Sequence, residues 1–212
     1  WAYRNKMQMP VGGARGDIKM GFYAMGSHDI VQGTNCPIQD DGNNRIAQIC
    51  YDIAKELDVE PYDEHTGKGV LRHVIGRIGQ SGWMVILVTA TEHLPHQEEW
   101  VERITNRIPQ VETIVHNVNS KRTNVILGPT NYVLYGDGTI TDHIKDLQFT
   151  LSPHSFFQVN PEQTTVLYDQ ALAYADLKGN ETVIDAYCGT GTISLFLAHK
   201  AKHVIGIEIV EP

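Results

Sequence analysis

Asp185, Gly189, Gly191 and Glu208 are the residues of this chain whose types and spacing could do chemistry together. Val183 and Ile184 form an apolar run that ends in Asp185. Ala186-Tyr187-Cys188 then leads into Gly189 and Gly191, which are separated by a single residue. Glycines in such a loop let backbone N–H groups approach a ligand. Glu208 closes a second apolar run, 17 residues after Gly191. A carboxylate ending a strand there can accept hydrogen bonds from both hydroxyls of a ribose. The loop is shorter than G-x-G-x-x-G, so it suits a nucleoside ligand with no pyrophosphate, S-adenosylmethionine better than a dinucleotide. Tyr187 either packs along such a ligand or covers the loop. Thr192 can cap the helix that follows through its hydroxyl while also touching the ligand. Asp185 either organises the loop or approaches the ligand's amine. Cys188 is a tempting thiolate, but inside the loop it would face the cofactor rather than a substrate, so it reads as packing.

Holding these groups in place requires a strand, the loop, a helix over residues 193–200 and a second strand over 203–207, a βαβ half-unit. Pro153 and Pro161 bracket a change of character upstream of it. Before them the pattern is strand-rich. It predicts strands over 2–10, 19–24, 28–31 and 113–118, a turn at the glycines of 12–16, and a hairpin of 70–78 with 83–91. Apolar spacing predicts helices over 43–57 and 97–108, and segments 132–134, 139–144 and 147–151 read as a closing meander. After Pro161 the period is helical over 163–175. The fold class is α/β: an α+β central domain over 1–151, followed over 152–212 by the start of a Rossmann-like domain. A doubly wound domain needs further strands, so this second part is expected to be incomplete.

Composition narrows the classes. With 25 acidic against 17 basic residues the net charge is −8, which disfavours a general polyanion binder. Arg4, Lys6, Arg15 and Lys19 nevertheless face only Asp17 among the first 20 residues. Arg4 and Lys6 share strand parity and read either as phosphate contacts or as a solvated strand face. No apolar run approaches the roughly 20 residues of a membrane helix, so no membrane is expected. Three cysteines, Cys36, Cys50 and Cys188, argue against a disulfide framework and for a reducing cytoplasm. The ten histidines have no zinc-ligand spacing.

Four segments in order, Trp1-Ala-Tyr-Arg-Asn-Lys6, Gly21-Phe-Tyr23 with Ser27-His-Asp-Ile30, Ser152-Pro-His-Ser-Phe-Phe-Gln-Val-Asn-Pro161 and Asp185-Ala-Tyr-Cys-Gly-Thr-Gly191, resemble the S-adenosylmethionine-dependent RNA uracil-5 methyltransferases. The likeness is to the 23S ribosomal RNA enzymes of Gram-positive bacteria and runs through essentially the whole chain. It implies a three-part enzyme, of which this chain holds the central part and the start of the catalytic part. It also implies that Gln158, Tyr187, Thr192 and Glu208 contact the cofactor, with Gly189 and Gly191 in its loop. By the same resemblance Phe156 lies beside the target uracil, and Cys36 falls where some members carry the last ligand of a 4Fe-4S cluster. The family's other cluster cysteines, its nucleophilic cysteine and its glutamate base have no counterpart among these 212 residues. The chain is therefore expected to be a fragment, inactive by itself, with ribosomal RNA as the partner and no obligate protein partner. The competing readings are a transfer RNA uracil-5 methyltransferase, a non-catalytic RNA-binding module and a nucleotide-dependent oxidoreductase.

Overall fold

The computed structural model describes residues 1–209, and the chain divides into two compact units between Thr141 and Asp142. The first unit is built on one seven-stranded sheet. Its strands are β1 (Lys6–Ala14), β2 (Asp17–Tyr23), β3 (Ile30–Gln32), β4 (Leu71–Ile78), β5 (Trp83–Thr89), β6 (Val111–Val118) and β7 (Thr130–Tyr135). They lie in the order β3-β2-β1-β4-β5-β6-β7. Only β5 and β6 are parallel, and the chain between them forms helix α2 (Gln97–Arg107), the crossover that parallel neighbours require.

Met7, Met9 and Val11 alternate inward along β1, the period of two that a half-buried strand imposes. Helix α1 (Asp41–Glu56) buries Ile46, Ala47, Cys50, Ile53 and Ala54, three or four residues apart. Its N-terminus is capped by the Asp40 carboxylate, which accepts the Gly42 N–H at 2.7 Å. These side chains meet Val74, Leu87, Trp100 and Ile104 in one apolar core.

Three expectations are corrected here. The strand placed at 2–10 begins instead at Lys6, because the preceding residues bond elsewhere: Ala2 and Arg4 donate to the carbonyls of Pro37 and Ile38. Gly12 and Gly13 lie inside β1 rather than in a turn, pairing with Lys19 and Ile18. Gly13 is required by close approach, since a Cβ there would sit 2.3 Å from the Asp17 carbonyl oxygen at a φ of +94°. The closing meander does not exist as one sheet. β7 joins β6, while β8 (Ile140–Ile144) and β9 (Leu147–Leu151) pair only with each other.

The second unit holds β9, helix α3 (Pro161–Ala175), β10 (Thr182–Ala186), helix α4 (Thr192–Ala198) and β11 (His203–Ile207). Asn160 caps α3 by accepting the Gln163 N–H at 3.1 Å, with Pro161 in the first turn. β10 and β11 run parallel in the register Ile184↔Ile205. Two aromatic pairs pack the unit: Phe149 with Phe157 at 5.4 Å between ring centroids, and Tyr168 with Phe196 at 5.6 Å.

Candidate cofactor site

The loop between β10 and α4 is held by the end of β11. The N–H groups of Tyr187 and Cys188 both donate to the Ile207 carbonyl, at 2.8 and 3.1 Å. Tyr187 accepts a left-handed φ of 64° to make this turn, a conformation that costs a non-glycine residue about 1–2 kcal/mol. Gly189 and Gly191 follow with φ of +55° and +75°, and a Cβ added to either would meet nothing within 4 Å. The glycines thus serve the backbone path, and among the described residues nothing covers the positions a Cβ would take on either. Gly191 closes the turn by donating to the Cys188 carbonyl at 2.8 Å.

Glu208, immediately after β11, reaches back across this turn. One carboxylate oxygen accepts the Gly189 N–H at 2.9 Å and the other accepts the Ile209 N–H at 2.8 Å. A loop amide and an exposed strand-terminal carboxylate therefore lie side by side. That donor and acceptor set fits a nucleoside with vicinal hydroxyls.

Neighbouring side chains brace the loop. Asp185 accepts the Ser194 hydroxyl through one carboxylate oxygen, which ties the end of β10 to α4. Cys188 packs its sulfur over β11, where a Cβ on Gly206 would come within 2.9 Å of it; it is a packing thiol. Thr192 does not cap α4. The cap position belongs to Gly191, without a side-chain bond, and Thr192 is the first helical residue, its hydroxyl 2.7 Å from that of Tyr168. Sequence reasoning passed over Tyr168. Its only signal was an inward position on α3, which packing alone would also explain.

The segment before α3 is tied to the same loop, for Thr190 donates its hydroxyl to the Phe156 carbonyl at 3.4 Å. Of the adjacent aromatics, Phe157 is buried and Phe156 is 71% exposed. Gln158 is half-buried. The second unit thus brings together Phe156, Tyr187, Gly189, Gly191, Thr192 and Glu208.

Arg4, Lys6 and Cys36 belong to the first unit. Lys6 is half-buried: burial, and then the charges of Arg77 and Arg4, push its ammonium down to about 8. Arg4 lies outside β1, bridged to Gln39. Cys36 is half-buried, its N–H donating to the Asn44 side chain at 3.0 Å. Among the described residues no group of three or more His, Cys, Asp or Glu could hold a metal ion.

Strand, glycine loop, helix and parallel strand ending in an acid form a βαβ half-unit of a Rossmann-like domain. No family model matches the chain. Curated relatives do. The chain is 53% identical over 212 residues to an uncharacterized RNA methyltransferase of Halalkalibacterium halodurans, covering 99% of this chain and 46% of that protein. It is 50% identical to counterparts of the same description from Bacillus cereus and Clostridium acetobutylicum, again covering 46% of each and 99% and 98% of this chain. The chain belongs to this family of RNA methyltransferases and spans about half the length of the curated relatives it matches. Its fold is that of Pyrococcus abyssi tRNA (uracil-54, C5)-methyltransferase, solved in complex with S-adenosyl-L-homocysteine. The TM-score is 0.77 at 23% identity, over 98% of this chain and 49% of the other.

Proposed function

We propose that this chain forms the RNA-positioning part and the first part of the cofactor site of a cytoplasmic, S-adenosylmethionine-dependent 23S ribosomal RNA uracil-5 methyltransferase. The observation that carries the reading is the Glu208 carboxylate seated on the Gly189 amide at the mouth of an open glycine loop. When bound, S-adenosylmethionine supplies the electrophilic methyl group. Glu208 then accepts from the ribose hydroxyls, and Gly189, released from that carboxylate, turns its N–H to the ligand. Gly191 gives the loop its path, while Tyr187, Thr192 and Gln158 line it. Phe156 offers an exposed ring for stacking on an extruded uracil, and Arg4 and Lys6 contribute positive charge toward phosphate. Cys36 stands where the resemblance places a single iron–sulfur ligand, and the described residues offer no further group that would complete such a site.

The chain alone is expected to transfer no methyl group. Cys188, inside the loop, packs its sulfur over Gly206, and no other cysteine lies in the second unit. Two experiments test the reading. Calorimetry of the chain with S-adenosylhomocysteine should give saturable heat that Glu208→Ala abolishes; heat that survives the substitution would overturn the site. Radiolabelled methyl transfer by the full-length protein should mark 23S transcripts, and exclusive labelling of transfer RNA would transfer the assignment to that substrate.

A further inference from the structure

We propose that the first unit contains a second nucleic-acid contact, a pocket on the β1–β2–β3 end of the sheet that takes one guanine base of the RNA. A cavity of about 340 Å³ lies there, lined by the segment 11–13, Lys19, Tyr23, the segment 28–30 with Ile30 against Gly12, and the segment 62–65. That volume falls at the lower end of small-ligand sites, about 300–1,000 Å³.

Its floor follows from strand pairing. β1 pairs with β2 as far as Ala14↔Asp17, but its pairing with β4 ends at Pro10↔His73. Val11 to Gly13 therefore continue as a strand edge past the last rung. Three residues are too short an edge for an extended peptide to add as a strand, but long enough for one planar ring.

The opposite wall is rigid. Arg122 donates to the carbonyls of Glu64 and His65 at 3.1 and 2.8 Å. Arg72, buried over the Tyr62 ring at 4.4 Å, pairs with Glu64 at 3.4 Å. The Asp63 carboxylate is used within its own turn, accepting from the His65 N–H and the Thr66 hydroxyl, both at 2.8 Å. The acids of this wall are thereby engaged.

Lys19 and Asp29 carry the recognition. Asp29 is fixed by its main chain: its N–H donates to the Ser27 hydroxyl at 3.1 Å, and its carbonyl accepts from Ala24 at 2.8 Å. Asp29 itself lines the cavity, and its carboxylate is the group assigned to the base. Guanine alone among the four bases offers two adjacent N–H donors to a carboxylate, on N1 and N2, and it offers O6 and N7 to an ammonium. One acid with one lysine matches that edge. Tyr23, with the His28 ring edge-on at 5.4 Å, supplies a half-exposed aromatic surface for stacking.

The test needs no cofactor, so its outcome is read separately from the methyl-transfer reading. The ¹⁵N-labelled chain is titrated with GMP, AMP, CMP, UMP and inorganic phosphate. GMP should shift the amides of Gly12, Gly13 and Asp29 and bind about tenfold tighter than the other four. Asp29→Asn should bring GMP to the level of AMP with an otherwise unchanged spectrum, and Tyr23→Ala should weaken all four nucleotides. No shifts at these amides, equal binding of phosphate alone, UMP as tight as GMP, or an Asp29→Asn chain that still prefers GMP would each overturn the proposal.

Discussion

His73 makes the stability of the first unit depend on pH in a way that can be worked out in advance. It lies on β4, is 5% exposed, and its Nδ1 finds no hydrogen-bond partner among the described residues. Burial, and then the charge of Arg72, push its imidazole down from 6.5 to about 4. A histidine whose folded pKa lies below its unfolded value keeps a proton less readily when native. The unfolded chain then binds more protons between pH 6.5 and 4, and stability falls as the pH drops through that window. The full shift corresponds to about 3 kcal/mol, of which about 2 kcal/mol is lost between pH 7.5 and 5.0. Urea denaturation reads this directly, because the buried Trp100 and the half-buried Trp83 belong to the first unit and report its unfolding. His73→Leu should remove this component. His116, also pushed down, first by its own burial, contributes equally to both proteins and cancels. Wild type should therefore lose about 2 kcal/mol more than the variant over that interval. Equal losses in the two proteins would show that His73 is not buried neutral and would refute the argument.

Other substitutions separate packing from function. Gly21→Ala should unfold the β2–β3 edge, since a Cβ there would lie 2.0 Å from the Val31 carbonyl oxygen. Gly191→Ala meets no atom and should cost only the strain of a left-handed alanine, about 1–2 kcal/mol in a thermal melt. Phe157→Ala should destabilise by about 3 kcal/mol, whereas Phe156→Ala should stay within about 0.5 kcal/mol of wild type yet lose photocrosslinking to a uridine-containing RNA. Tyr168→Phe, which removes the hydroxyl bonded to Thr192, should weaken S-adenosylhomocysteine about fivefold by calorimetry with a melting temperature nearly unchanged; unaltered affinity would mean that Thr192 needs no support.

Much of the second unit was legible because its information is local. The apolar run before Asp185, the glycines and the acid after Ile207 are consecutive punctuation, and β11 begins and ends where the pattern placed it. Helices α1 and α2 were equally readable, since three-to-four spacing is written along one segment. The boundary drawn after Leu151 rested on prolines. By its pairing the β8–β9 hairpin stands apart from the large sheet, and strand pairing is not a property of the segment that carries the prolines.

By itself, then, the sequence determined most of the strand and helix segments, though not the extent of β1, and where the glycine loop falls and which acid follows it, because hydrophobic period and turn chemistry act between near neighbours. Tertiary structure alone decided that Gly13 is pressed against β2, that Lys6 is desolvated beside other cations, that Thr192 leans on Tyr168 rather than capping its helix, and that Glu208 closes on Gly189. Each of these joins residues distant along the chain or depends on how far water is excluded. Burial and long-range hydrogen bonding are set by packing, which no local spacing encodes.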